Sequence, residues 1–191
     1  VNLVTQNGKT DIEVSGAAVF KKDKMVGELD KDSTKNFLLI SQNIKDTLIP
    51  LKNVLNLNTD VTMEVVGEKR KFKVISSSNK IKINEKISFT MHIDEISGQT
   101  DFTEEKNENK LKNYIQNYIT DELKATVKQV QEKYDSDIFG FGELIRVQNP
   151  QVWKKISSKY DSVFKTIQYE PNVEVYIKGS GTISKPMKAG K

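Results

Sequence analysis

The stretch Ile87-Ser-Phe-Thr-Met-His-Ile-Asp94 alternates between apolar and polar residues at every position. A period of two places one face of a β-strand in the core and the other in water, which is typical of an antiparallel sheet. The same alternation occurs at 61–65 and 71–74, and it returns near the end of the chain at 173–177. We therefore predict several strands of a sheet.

Turn residues and lysines complete the predicted sheet. Gly67-Glu68-Lys69 is typical of a turn between strands, and Ser76-Ser-Ser-Asn79 is typical of a loop. Basic residues such as Lys69-Arg70-Lys71 stand among apolar ones, which favours the solvated face of the sheet. A role at an anionic membrane surface would use the same lysines, so the sequence leaves both interpretations open.

Helical spacing replaces the alternation in the second half of the chain. From Thr103 to Tyr134 the apolar residues are three or four positions apart, which predicts one long amphipathic helix. A second helical stretch begins at Asn149-Pro150, a cap residue followed by proline, and ends at Pro171. Its apolar stripe consists of Trp153, Ile156, Tyr160, Val163, Phe164 and Ile167.

The N-terminal part predicts a hairpin at 16–29, followed by a short helix that is capped within Asp30–Ser33. Strands grouped before helices indicate an α+β fold, with an antiparallel β-sheet packed against a long amphipathic helix and additional shorter helices. The 191 residues suit a single domain over 1–191, with a loose tail at 184–191.

The composition excludes several classes of site. The chain has no cysteine and a single histidine, His92 on the polar face of its strand, so thiolate catalysis and common zinc sites have no support. Arginine occurs only at Arg70 and Arg146, which argues against sequence-specific nucleic-acid binding. No apolar run approaches the roughly 20 residues that cross a bilayer. We expect no cofactor and no metal.

The stretch Asp135-Ser-Asp-Ile-Phe-Gly-Phe-Gly-Glu143 is the main candidate for a functional site. A pair among Asp135, Asp137 and Glu143 could provide the acid and base of a cell-wall hydrolase, if their surroundings shifted a pKa. In the alternative interpretation, Asp135 and Asp137 cap helix ends and Glu143 lies on a helix surface. We favour this alternative and expect no catalytic residues.

Two aromatic residues alternate with two glycines in this motif, which lacks the spacing of a phosphate-binding loop. Gly140 and Gly142 could let a helix junction pack tightly with both aromatics buried. Alternatively, an exposed aromatic could anchor a partner, so Phe139, Phe141 and Trp153 are our candidate partner contacts. An apolar pocket beside Trp153 that binds a small-molecule nutrient is a further hypothesis.

At these residues the chain resembles the C-terminal domain of the Ger(x)C family, the C subunits of spore germinant receptors. The hairpin Gly16–Leu29 is similar to the family's opening hairpin, and 135–143 is similar to its most distinctive motif. The later features that follow in the family's order are Pro150, Trp153, Phe164, the strand at 173–177 and Gly181-Thr-Ile-Ser-Lys-Pro186.

The resemblance implies a non-enzymatic function. Such proteins are lipoproteins on the outer face of the spore inner membrane, and they respond to nutrients together with an A-type and a B-type membrane subunit. The implied partners of this chain are therefore the A and B subunits, and not nucleic acid. Because the chain begins at Val1 and lacks cysteine, we expect it to be a fragment whose lipid anchor lies upstream.

Overall fold

The computed structural model describes residues 2–6, 9–13, 15–42, 44–77, 80–102 and 104–178, so the predicted tail at 184–191 lies outside it. The strands are β1 (Asn2–Gln6), β2 (Lys9–Glu13), β3 (Ala17–Lys21), β4 (Lys24–Leu29), β5 (Thr47–Leu51), β6 (Asp60–Ser77), β7 (Lys80–Ser97) and β8 (Gln168–Ile177). The helices are α1 (Lys31–Ser41), α2 (Glu105–Lys133), α3 (Phe141–Gln148), α4 (Pro150–Ile156) and α5 (Tyr160–Phe164).

The chain divides into two compact units, each with its own buried apolar residues. The first unit consists of Val1–Gln42, Val74–Ile83 and Leu123–Gln168, and the second consists of Asn43–Lys73, Asn84–Glu122 and Tyr169–Lys191. Fully buried side chains of the first unit include Val19, Leu39, Leu123, Phe141 and Phe164. Those of the second unit include Ile49, Met63, Phe89, Leu111 and Ile115.

Four strands form the main sheet in the order β5-β6-β7-β8. Strand β5 pairs antiparallel with β6. Residues later in β8 contact residues later in β7. Glu174 pairs with Lys86 at 2.7 Å, and the Lys178 N–H donates to the Met91 carbonyl at 2.9 Å. Strand β8 therefore runs parallel to β7, with helices in the connection, as a parallel pair requires. The α+β class is confirmed, and the sheet is mixed.

The turn predicted at Gly67-Glu68-Lys69 is wrong, because β6 continues through it. In β6 the buried residues have odd numbers up to Val65. From Arg70 onward the half-buried residues have even numbers, and the odd-numbered residues between them are exposed. The strand therefore changes the face it turns inward, as a bulge does. Strand β6 ends at Ser77 and β7 begins at Lys80, and the part of the predicted loop between them, 78–79, lies outside the described residues.

Pro171 lies inside β8, so the prediction that the last strand starts only at Val173 is wrong. Strand β8 forms one edge of the sheet, and an edge tolerates proline because no ladder hydrogen bond is lost on the outer side. On the same strand, the Val175 N–H donates to Gln116 Oε1 of α2 at 3.0 Å. Both features limit pairing of this edge with another chain.

The predicted long helix is confirmed as α2, whose 29 residues extend over about 43 Å. Glu105 and Glu108 lie in its first turn, where the helix dipole favours negative charge. Its buried positions follow the predicted spacing of three and four residues: Leu111, Ile115, Ile119, Leu123, Val127 and Val130.

The hairpin and the short helix before the sheet are also confirmed. Strands β3 and β4 pair antiparallel around a two-residue turn in which Lys22 has a positive φ of 57°. Helix α1 begins after Asp30, whose Oδ1 accepts a hydrogen bond from the Ser33 N–H at 2.8 Å. This bond satisfies one of the free amides of the first turn.

The helical region after the motif is broken into pieces, and the prediction of one helical stretch from Asn149-Pro150 to Pro171 is wrong. Helix α4 does begin at the predicted cap, where Asn149 Oδ1 accepts from the Val152 N–H at 3.3 Å. It ends at Ile156, and a 3-10 turn over Ser157–Lys159 separates it from α5. Serine is a weaker helix former than alanine or leucine, so this is a natural position for the break.

Candidate partner interface at the helix junction

The junction in the first unit is organised by the carboxylate of Asp137. Its Oδ1 accepts from the Phe141 N–H at 3.1 Å, and its Oδ2 accepts from the Gly142 N–H at 2.7 Å. These amides belong to the first turn of α3, so the predicted capping role of Asp137 is confirmed. The Tyr160 hydroxyl also donates to Asp137 Oδ2 at 2.6 Å, which ties α5 to the start of α3.

Glycine stands at positions 140 and 142 of the motif for two different physical reasons. Gly140 has a φ of 75°, the left-handed region that glycine adopts without steric cost. Gly142 lies directly under the Tyr160 ring, and a Cβ at this position would be 2.9 Å from the ring's Cζ. The prediction that the glycines allow tight packing at a helix junction is confirmed for Gly142.

Phe139 and Phe141 belong to an aromatic cluster. Phe141 is 0% exposed and Phe139 is 8% exposed. Their ring centroids are 5.3 Å apart; Phe139 also meets Phe37 at 6.1 Å, and Phe141 meets Phe164 at 6.5 Å. The burial agrees with the packing interpretation of the motif, and it leaves these two rings little surface for a partner.

Trp153 is the most exposed of the three candidate contacts, since its side chain is only half-buried. Its ring lies 5.2 Å from that of Tyr160 at an interplanar angle of 59°, a favourable tilted arrangement. The hydrogen bond from Tyr160 to Asp137 thus fixes the support on which Trp153 rests. Contact with a partner, by Trp153 or by either phenylalanine, stays a prediction.

Asp135 stands at the C-terminal boundary of α2, as predicted, but its carboxylate binds lysines and caps no helix amide. It follows the end of α2 with a φ of 49° and forms ion pairs with Lys21 at 3.0 Å and with Lys165 at 3.4 Å. The hydrogen bond from Lys21 is the main reason that the pKa of Asp135 lies below its usual value. The partners that decide its role are therefore remote in sequence.

The hydrolase hypothesis finds no support in these carboxylates. Glu143 lies on the exposed face of α3, as predicted, and accepts from Arg146 at 2.7 Å and 2.5 Å. The hydrogen bonds from Arg146 lower the pKa of Glu143, and Lys21 lowers that of Asp135. A general acid at neutral pH requires a raised pKa, so both shifts have the wrong sign.

The predicted hairpin and the predicted motif pack against each other within the first unit. The Ser136 hydroxyl donates to the Phe20 carbonyl at 2.8 Å, and the Tyr134 hydroxyl donates to the Glu28 carbonyl at 2.5 Å. Gly27 lies against the Tyr134 ring, where a Cβ would be 2.3 Å from Cε1. These contacts fix the hairpin near its tip, at Phe20, and near its base, at Gly27 and Glu28.

A buried charged cluster in the second unit was missed by the sequence-based prediction. Arg70, expected on the solvated face, donates from Nη2 to Glu68, and its Nε lies 3.0 Å from Glu85 Oε1. The Tyr169 hydroxyl donates to the other oxygen of Glu85. The prediction for Arg70 is wrong because the face change across 66–68 turns this residue inward, between exposed Lys69 and Lys71.

Burial raises the pKa of Glu85 to about 7, although Tyr169 and Arg70 act in the opposite direction. Burial is also the main reason that the pKa of Tyr169 is raised well above its usual value. A sequence signal for this cluster existed. Glu85 occupies an inward position of the alternating series, between Ile83 and Ile87, where an unpaired carboxylate would be costly.

The described residues also bear on the single histidine, on metal sites and on membrane-spanning helices. His92 is half-buried between buried Met91 and Ile93, which agrees with its predicted place on the polar face. Within the described ranges, no three His, Asp or Glu residues gather where they could hold a metal ion. The helices of the same ranges include none that is long and apolar enough to span a membrane.

The family of the chain follows from a match over nearly its whole length. A family model described as "Spore germination B3/ GerAC like, C-terminal" matches residues 15–181. The chain belongs to this family. The match confirms the resemblance that the hairpin and the 135–143 motif indicated, since both lie inside the matched range.

Curated relatives agree with the GerAC-like family, and a solved structure shares the fold. Spore germination protein B3 of Bacillus subtilis (strain 168) is 22% identical over 184 residues, which cover 94% of this chain and 48% of that protein. Spore germination protein A3 of the same organism is 28% identical over 180 residues, covering 93% and 47%. The chain thus spans about half the length of the curated relatives it matches. The crystal structure of the GerBC protein shares the fold, with a TM-score of 0.76 and 20% sequence identity. The match covers 90% of this chain and 53% of the GerBC chain.

Proposed function

We propose that this chain is a domain of the C subunit of a spore nutrient germinant receptor, and that it helps to assemble this subunit with A-type and B-type membrane subunits. The observation that carries the proposal is the family match over residues 15–181. In this proposal, a lipid anchor upstream holds the full-length subunit on the outer face of the spore inner membrane. The domain thereby supports nutrient-triggered germination.

A binding role, without catalysis, agrees with the physical character of the junction. Asp137 and Tyr160 lock α3 and α5 together through hydrogen bonds of 2.6 to 3.1 Å. Trp153 rests on this rigid support and is half-buried, so part of its ring is open to solvent. A large, preorganised aromatic side chain is the kind of residue on which binding energy concentrates at protein interfaces.

The proposal is tested by co-purifying tagged full-length C subunit with co-expressed A and B subunits. Trp153→Ala should reduce the retained A and B subunits at least about tenfold, because loss of an aromatic hot spot costs 2 kcal/mol or more. Val147→Ala is the matched control, since Val147 is an apolar residue of α3 that is 65% exposed. It should retain both subunits at the parental level.

Equal retention with the two variants would remove Trp153 from the interface. Retention that also survives deletion of residues 15–181 would overturn the assembly role as a whole. The nutrient-pocket hypothesis beside Trp153 has a separate test. Its prediction is a saturable change of tryptophan fluorescence with germinant amino acids, and a flat titration would count against it.

A further inference from the structure

The tip of the β3–β4 hairpin exposes two large apolar side chains side by side. Phe20 is 53% exposed and Met25 is 50% exposed. The two residues are directly opposite in the antiparallel register, so their side chains share one face of the hairpin. Strand β3 turns Val19 inward at 1% exposure. The alternation therefore assigns Phe20 and Met25 to the outer face, where they form one apolar patch.

Two exposed lysines lie beside this apolar pair. Lys22 lies in the turn that joins the two strands and Lys24 is the first residue of β4; both are exposed, with Asp23 between them. The two lysines outweigh the single carboxylate, so the turn is cationic. Lysine side chains of this kind can rest their methylene groups along an apolar surface and extend the ammonium group to an anion.

The hairpin is held rigidly from behind, so its tip needs no ordering before it binds. Lys21 forms ion pairs with Asp135 at 3.0 Å and with Asp161 at 2.8 Å. The bonds from Ser136 to the Phe20 carbonyl and from Tyr134 to the Glu28 carbonyl add two further anchors. A preorganised binding element avoids the entropy cost of immobilisation.

We propose that this tip docks on an anionic lipid surface, with Phe20 and Met25 entering the interfacial layer and Lys22 and Lys24 contacting headgroup phosphates. A stable protein partner generally buries about 800 Å² on each side, far more than two side chains provide. Shallow insertion of a few apolar side chains beside lysines is instead the chemistry of peripheral membrane contact. The inference goes beyond the proposed assembly role and does not depend on it.

A single tryptophan at the tip reports the contact. Phe20→Trp in a Trp153→Phe background places the only indole on the hairpin, and the probe is vesicles of equal phosphatidylglycerol and phosphatidylcholine at low salt. We expect its emission to shift to shorter wavelength as vesicles are added, because the indole leaves water. Lys22→Gln and Lys24→Gln should each weaken the vesicle affinity about fivefold, the contribution of one lysine near an anionic surface.

The matched control is Leu57→Trp in the same background. Leu57 is 50% exposed, but its neighbours Asn56 and Asn58 carry no charge. Its emission should not change with the same vesicles. An unshifted Phe20→Trp emission with anionic vesicles would overturn the proposal and leave the patch to a protein partner. An equal shift with pure phosphatidylcholine, or with the lysines replaced, would also contradict it.

Discussion

The buried cluster of the second unit predicts an unusual pH dependence of stability, which Glu85→Gln should remove. The pKa of Glu85 is raised from 4.5 to about 7, so the folded state holds a proton that the unfolded state releases. A raised carboxyl pKa contributes stability that is fully present below 4.5 and is lost as the pH rises through 7. Since a tenfold change in proton affinity corresponds to 1.36 kcal/mol, the rise of the pKa from 4.5 to about 7 corresponds to about 3 kcal/mol.

Glutamine resembles the protonated carboxyl in shape and carries no charge at any pH. Glu85→Gln should therefore match the parent at pH 5 within about 1 kcal/mol and exceed it by about 3 kcal/mol at pH 8. Arg70→Met should act in the opposite direction. It leaves the buried carboxylates of Glu68 and Glu85 without this cation, a change that costs about 3 to 5 kcal/mol in other proteins.

The measurement is urea unfolding followed by circular dichroism at several pH values between 5 and 8. The quantity compared is the difference in free energy of unfolding between variant and parent, because other carboxylates contribute equally to both. Glu143→Gln is the matched control, since Glu143 is exposed and its pKa is lowered, so its difference should be constant over this range. A difference for Glu85→Gln that stays constant with pH would refute the reasoning.

Two further predictions concern the junction and the hairpin. Asp137→Ala should lower the free energy of unfolding by about 2 kcal/mol, because two capped amides and the Tyr160 hydroxyl lose their acceptor. Urea titration of the variant measures this change. A loss below about 0.5 kcal/mol would contradict the capping role. Gly27→Ala should cost about 2 kcal/mol, since its Cβ would be 2.3 Å from the Tyr134 ring. Gly67→Ala is its control in thermal unfolding and should be nearly neutral, since its nearest neighbour would be 3.7 Å away; equal costs for both glycines would argue against the close packing.

Features of the fold that depend on neighbours in sequence could be predicted. The alternation around Phe89 and the stripe of α2 report which side of an element is buried, because the core is the main driving force for both. Helix caps could also be predicted, since Asp30 and Asn149 each accept from an amide three residues away. These local signals were sufficient for the fold class.

Other features depend on residues that are remote in sequence, and prediction failed there. Asp135 was taken as a cap, but its role is decided by Lys21, which is 114 positions away. Gly67 was taken as a turn, because a glycine between two alternating stretches can mark either a turn or an irregular position within one strand. Arg70 was therefore assigned to the solvated face of the sheet. Its ion pair with Glu85 was not predicted, because a charged residue in a strand usually faces water.

The assembly role is tested most directly in spores that express the full-length subunit with or without residues 15–181. The measurement is the amount of A and B subunits that co-purify with the C subunit from the inner membrane, alongside the rate of nutrient-triggered germination. The proposed function predicts that deletion abolishes co-purification and germination together, while the truncated subunit still reaches the membrane. Unchanged co-purification and germination after deletion would contradict it.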